Sequence, residues 1–127
     1  MAVMRIARRL RAERSDETLG LSQMSALASL MHGPLSPTAL AQIERIQPPS
    51  MTRVIAALET RGLISRDEHQ HDKRQSIIAI TEAGREIIDA DRVRRKAWLV
   101  EILATLSEPD RRILREALPV LERITNS

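Results

Sequence analysis

The hydrophobic pattern changes period once between Pro49 and Ile80, and few folds accommodate that change. Over residues 49–61 the apolar positions Met51, Val54, Ile55 and Leu58 recur every three or four residues, the stripe of an amphipathic helix. Pro49 suits the opening of such a helix and Gly62 its end. Leu63-Ile64-Ser65-Arg66 and Ser76-Ile77-Ile78-Ala79-Ile80 then alternate or run apolar, as short strands do. The polar and charged residues 67–75 between them read as a hairpin tip.

Helical signals flank this unit on both sides. Val3, Ile6, Ala7 and Leu10 make one face of a helix over residues 2–14, with Arg5, Arg8, Arg9 and Arg11 on the remaining positions. Ser22 is placed to cap a helix reaching Met31, with Met24, Leu27, Ala28, Leu30 and Met31 apolar, and His32-Gly33-Pro34 ends it. Ser36 caps the next, with Pro37 at its first position and Leu40, Ala41, Ile43 and Ile46 pointing inward. Pro48-Pro49 forces a break before the helix at 49–61. Thr81 opens a long helix to about Thr105, with Glu82 in its first turn, and Ser107 opens a last one over 108–124, where Pro119 is expected to cause a kink. The fold class is therefore mainly α with a small β-hairpin wing: a winged helix-turn-helix joined to a helical dimerisation region.

Composition narrows the function. A chain of 127 residues is one domain's worth, and with 1% aromatic content its core must come from Leu, Ile, Val, Ala and Met. Trp98 is the single aromatic residue, expected in the core of a dimer interface rather than as a wall of a ligand cavity. Without cysteine there is no disulfide framework and no thiolate chemistry. No apolar run is long enough to cross a bilayer and no signal-peptide pattern opens the chain, which places it in the cytoplasm with no membrane partner. No Ser-His-Asp spacing, Gly-rich phosphate loop or pair of glutamates points to catalysis, so neither catalytic residues nor a cofactor are expected. His69 and His71 lack the further ligands of a metal shell. Asp89 and Asp91, in an arginine-rich stretch, read as surface ion-pair partners.

The net charge of +3 is too small to imply nucleic acid by itself, but nearly all the cations are arginine, whose planar guanidinium suits phosphate and guanine. A helix-turn-helix lays its second helix in the major groove, and the first turn there needs small or polar residues and a long donor. Pro48, Pro49, Ser50, Thr52 and Arg53 meet that need. In the hairpin tip, Lys73 and Arg74 have no folding role, and an arginine there can enter a narrow minor groove, with Asp72 bracing it or capping the turn. Three functions compete: a sequence-specific regulator, a protein that coats or bends DNA with little sequence preference, and a scaffold that has lost DNA binding. Arg53 and Arg74, one on each DNA-facing element, weigh against the third.

Ser-Met-Thr-Arg-Val-Ile-Ala-Ala-Leu-Glu-Thr-Arg-Gly-Leu-Ile (50–64), Asp72-Lys73-Arg74 and Thr81-Glu82-Ala83-Gly84 together resemble the MarR family of bacterial winged-helix regulators. The resemblance spans nearly the whole chain. It implies a DNA-binding part over 21–80 and a dimerisation part over 1–20 and 81–127, the first helix and the last two interlocking with a second copy. It further implies a repressor released by a small-molecule inducer, with base reading by the first turn of 49–61 and minor-groove contact by Arg74. His32 reads as a helix-end hydrogen-bond donor, and the resemblance brings it near where inducers bind. A dimer also follows physically, because the apolar faces of 2–14, 81–105 and 108–124 have no evident cover. A twofold pair would set its reading helices about 34–36 Å apart on a near-palindromic site. Two features depart from the family pattern: Glu44-Arg45-Ile46-Gln47 lacks the glycine common in such turns, and the short lead-in to the first helix would trim the dimer interface.

Overall fold

The computed structural model describes the backbone of residues 1–69 and 72–127 and the side chains of residues 1–67 and 76–127. Six helices and one hairpin follow in the order α1 (Ala2–Ala12), α2 (Leu21–Leu30), α3 (Pro37–Glu44), α4 (Pro48–Thr60), β1 (Ile64–His69), β2 (Asp72–Ile80), α5 (Glu82–Ala104) and α6 (Glu108–Thr125). Three helices open on the hydroxyl caps expected of them. Ser36 Oγ accepts from the Ala39 N–H, Thr81 Oγ1 from that of Gly84, and Ser107 Oγ from that of Asp110. Ser22, by contrast, lies inside α2. The cap is Gly20, whose N–H donates to Gln23 Oε1 at 3.2 Å, so the helix starts before the hydroxyl can serve. The last helix continues through Pro119.

Two helix ends share one geometry with different residues. After α4, Gly62 takes a left-handed conformation (φ 70°), its N–H reaching the Glu59 carbonyl at 2.9 Å while the Leu63 N–H reaches that of Leu58 at 3.0 Å. After α3, Arg45 does the same at φ 53°. Its N–H donates to Gln42 at 3.2 Å and the Ile46 N–H to Ala41 at 3.0 Å. The turn without a glycine thus holds its shape by placing an arginine where a side chain costs about 1–2 kcal/mol.

β1 and β2 pair antiparallel from Ile64↔Ile80 to Glu68↔Ser76, with an irregularity before His69↔Asp72. The strands are longer than the apolar pattern indicated, because the backbone ladder continues into polar residues; Lys73 and Arg74 therefore belong to β2 rather than to a loop. Leu35 adds a short third rung, its N–H and carbonyl both bonded to Ile78 at 3.0 and 2.7 Å.

The core is aliphatic: Leu19, Leu27 and Leu30, Leu40, then Met51, Ile55 and Leu58 of α4, Ile64, Ile78 and Ile80 of the hairpin, and Ile88 of α5. Ile43, expected to point inward, is 56% exposed; the inward face of α3 is that of Leu40 and Ala41. No residue of α1 or α6 is buried. Val3 and Ile6 on α1, Leu99 and Ile102 on α5, and Ile113, Leu118, Leu121 and Ile124 on α6 all lie open. Trp98 is half-buried within the single chain, with the Arg9 guanidinium 5.1 Å from its ring centre.

Candidate nucleic-acid interface

Two faces of α4 divide the labour. Met51, Ile55 and Leu58 are buried, whereas Pro48, Pro49, Ser50, Thr52 and Arg53 are all exposed, so the first turn stands out from the module on a firmly packed base. Gln47, the cap residue, makes no side-chain cap bond. Pro48 and Pro49 occupy the first two helical positions and carry no N–H, so of the first three positions only Ser50 has a donor left to satisfy. What they offer instead is apolar ring surface, the kind that packs on a thymine methyl group. Thr52 Oγ1 donates to the Pro48 carbonyl at 3.0 Å, leaving its lone pairs and methyl outward. Arg53 has no ion-pair partner among the described residues.

Neighbouring contacts hold this helix in place. Ser25 Oγ donates to Glu44 Oε2 at 2.6 Å and Ser29 Oγ to Glu44 Oε1, tying the end of α3, just before the turn, to α2. Arg66 on β1 reaches Glu59 of α4 at 3.3 Å and Ser76 of β2 at 3.3 Å, which links the wing to the helix. Thr81 Oγ1 donates to the Gly62 carbonyl at 2.7 Å. The side chains of Lys73 and Arg74, of Asp72 as their brace, and of His69 and His71 lie outside the described residues. Elsewhere, no group of three His, Cys, Asp or Glu stands together as a metal shell among the described residues.

The first turn of α4 is thus exposed above a buried face, and an antiparallel hairpin follows the helix. Residues 19–76 match the MarR family profile. Along its full length the chain is 46% identical, over 129 aligned residues, to an uncharacterised HTH-type transcriptional regulator of Mycobacterium leprae, covering 90% of that protein. The chain belongs to the MarR family. A solved structure of RV1404 from Mycobacterium tuberculosis superimposes with a TM-score of 0.87 at 25% identity, covering 99% of this chain and 90% of that one. An HTH-type transcriptional repressor of Bacillus subtilis is 29% identical over 90 residues, 70% of this chain and 58% of the repressor. MarR-family proteins are DNA-binding transcription regulators, not enzymes. No helix among the described residues is long and apolar enough to cross a membrane.

In this MarR-family chain the sequence reading missed the acidic residues that matter most. Asp91 is fully buried, not on the surface; its Oδ1 accepts from Ser15 N at 2.6 Å and Ser15 Oγ at 2.7 Å, and its Oδ2 has no partner. Asp89 does pair with an arginine, loosely, at 3.9 Å from Arg92. The signal for Asp91 was its place three and four residues beyond Ile88 and Ile87, on the apolar stripe of α5. Asp16 meets Arg61 at 2.5 Å, and its pKa is lowered to about 2, chiefly by the Thr18 hydroxyl and then by Arg61. Asp91 also floors a cleft of about 550 Å³ between α1, α2 and α5, rimmed by Arg11, Arg14 and Arg95. His32 stands apart from it, in a notch of about 180 Å³ beside Leu35 and Ile43.

Proposed function

We propose that this chain is a homodimeric, sequence-specific repressor, working in the cytoplasm and released from DNA by a small ligand. The observation that carries the reading is the first turn of α4, where Pro48, Pro49, Ser50, Thr52 and Arg53 are exposed above the buried Met51 and Ile55. Such a turn offers short side chains to base edges and one guanidinium to guanine or phosphate. Lys73 and Arg74 on β2 supply the wing's contact to the backbone or the minor groove.

Dimerisation is supported by the uncovered apolar residues of α1, α5 and α6, each of which gains up to about 1.5–3 kcal/mol on full burial, in proportion to the area still exposed. A second copy offers the matching faces, and twofold symmetry turns one reading helix into two. Repression agrees with the name of the Bacillus subtilis relative and with a dimer that covers the duplex it binds. The cleft, lined by Arg11, Arg14 and Arg95 together with Glu44 and Asp91, offers both cationic and anionic groups to a small polar ligand.

Fluorescence anisotropy tests the reading, with a duplex that the protein selects from a random library set against a scrambled one. At about 0.15 M salt a preference of about a hundredfold or more is expected. Equal affinity for both duplexes would favour a DNA-coating protein instead. Light scattering should give twice the chain mass of 14.3 kDa.

A further inference from the structure

We propose that the connector between α1 and α2 is a brace that sets the angle between the winged module and α5, with Asp16 and Arg61 as positioning residues and not DNA contacts. The proposal rests on the dimeric, DNA-reading function above and adds how its two reading helices are spaced.

The connector is gripped on both sides. On one side Ser15 gives both its N–H and its hydroxyl to Asp91 of α5, at 2.6 and 2.7 Å. One residue later, Asp16 Oδ2 accepts from Arg61 at 2.5 Å, just past the last residue of α4. Thr18 closes the triangle: its N–H and hydroxyl donate to Asp16 Oδ1 at 2.9 and 2.5 Å, and its oxygen accepts from Arg61 at 3.0 Å. Leu19, 1% exposed, then anchors the segment in the core. Adjacent connector residues thus bind α5, which carries uncovered apolar surface, and the helix that reads bases.

Position separates Arg61 from the DNA-facing residues. It follows the end of a helix of 13 residues, about 20 Å from the first turn at 1.5 Å per residue. Over that lever a rotation of about 10° moves the first turn by about 3.5 Å. In a dimer the two shifts add to about 7 Å, two base-pair steps of about 3.4 Å each. Holding this angle is therefore holding the half-site spacing.

The test compares the parent with Asp16→Asn, Thr18→Val and Arg61→Gln on duplexes carrying two library-selected half-sites, their spacing varied by one and two base pairs. Taking a negative charge off a DNA-binding protein should by itself tighten binding. The brace predicts the reverse: Asp16→Asn binds about tenfold more weakly at the best spacing, because the pair is lost twice per dimer. It also discriminates less between spacings, and the uncharged Thr18→Val acts in the same direction. Arg61→Gln weakens binding while leaving the salt slope unchanged. A slope lower by about two would make Arg61 a phosphate contact in each protomer and overturn the proposal. So would Asp16→Asn binding at least as tightly with the parent's spacing preference. Hydrogen exchange without DNA provides the independent arm: the Ser15 and Thr18 amides should exchange faster in Asp16→Asn, and unchanged protection refutes the brace. If the parent shows no sequence preference, the DNA-reading function fails, and the brace stands or falls on exchange alone.

Discussion

Replacing Gly84 by alanine sets two effects of opposite sign against each other. Gly84 is buried in the first turn of α5, and in a helix alanine is ordinarily favoured over glycine by about 1 kcal/mol. Here an added Cβ would stand 2.4 Å from the Leu63 carbonyl oxygen and 2.7 Å from Ile80 Cγ1. The isoleucine can turn aside, but the carbonyl is backbone, fixed between the left-handed Gly62 and its own bond from the Thr81 N–H at 3.0 Å. Relief requires the start of α5 to back away by close to an ångström, straining or breaking the Thr81 bonds to Gly62 and Leu63. Overpacking costs about 1–3 kcal/mol and a lost hydrogen bond about 0.5–1.5 kcal/mol, so the net expectation is a loss of about 2 kcal/mol. Urea unfolding followed by circular dichroism at a fixed protein concentration measures it, with Ala83→Gly as control. At that exposed neighbour propensity acts alone, and the loss should be about 0.5–1 kcal/mol. A Gly84→Ala protein as stable as its parent would show that the close approach of α5 to the hairpin carries no energetic weight.

Arg45→Gly should raise stability by about 0.5 kcal/mol, since relief of the left-handed strain outweighs the unfolded-state entropy of glycine, and Arg45→Val should lower it by at least 1 kcal/mol, approximately; urea midpoints decide both. Asp16 titrates from an ordinary value of 3.8 to about 2 in the fold, so its contribution is present above pH 4 and fades as pH falls towards 2. After discounting for solvent screening the contribution is about 1 kcal/mol, and the stability gap between parent and Asp16→Asn should shrink from pH 6 to pH 3. A gap that widens on acidification would refute the assignment. Arg74→Ala is expected to weaken binding to every duplex, and Ser50→Ala to change the preference between duplexes; anisotropy on selected and scrambled DNA separates the two. Parent-like binding by both would mean that the DNA surface lies elsewhere.

The order of the elements, most of their caps and the exposed face of α4 were legible in the sequence because each depends on residues within about four positions of one another. Ser36-Pro37, Thr81, Ser107 and Gly62 mark helix ends wherever the chain goes next. Met51, Ile55 and Leu58 turn Ser50, Thr52 and Arg53 outward by periodicity alone. Tertiary structure decided what depends on residues far apart in the chain. Asp91 is buried because Ser15, 76 residues away, supplies its two donors; among local arginines it looked like a surface charge. Asp16 finds Arg61 across 45 residues, and Glu44 finds Ser25 and Ser29 across the α2–α3 turn. Arg45 accepts a conformation that its own side chain disfavours, because the bond from Ile46 to Ala41 and the start of α4 leave it no other. Propensity and periodicity report the preferences of short segments, whereas long-range hydrogen bonds, ion pairs and strained turns exist only once separate segments have met.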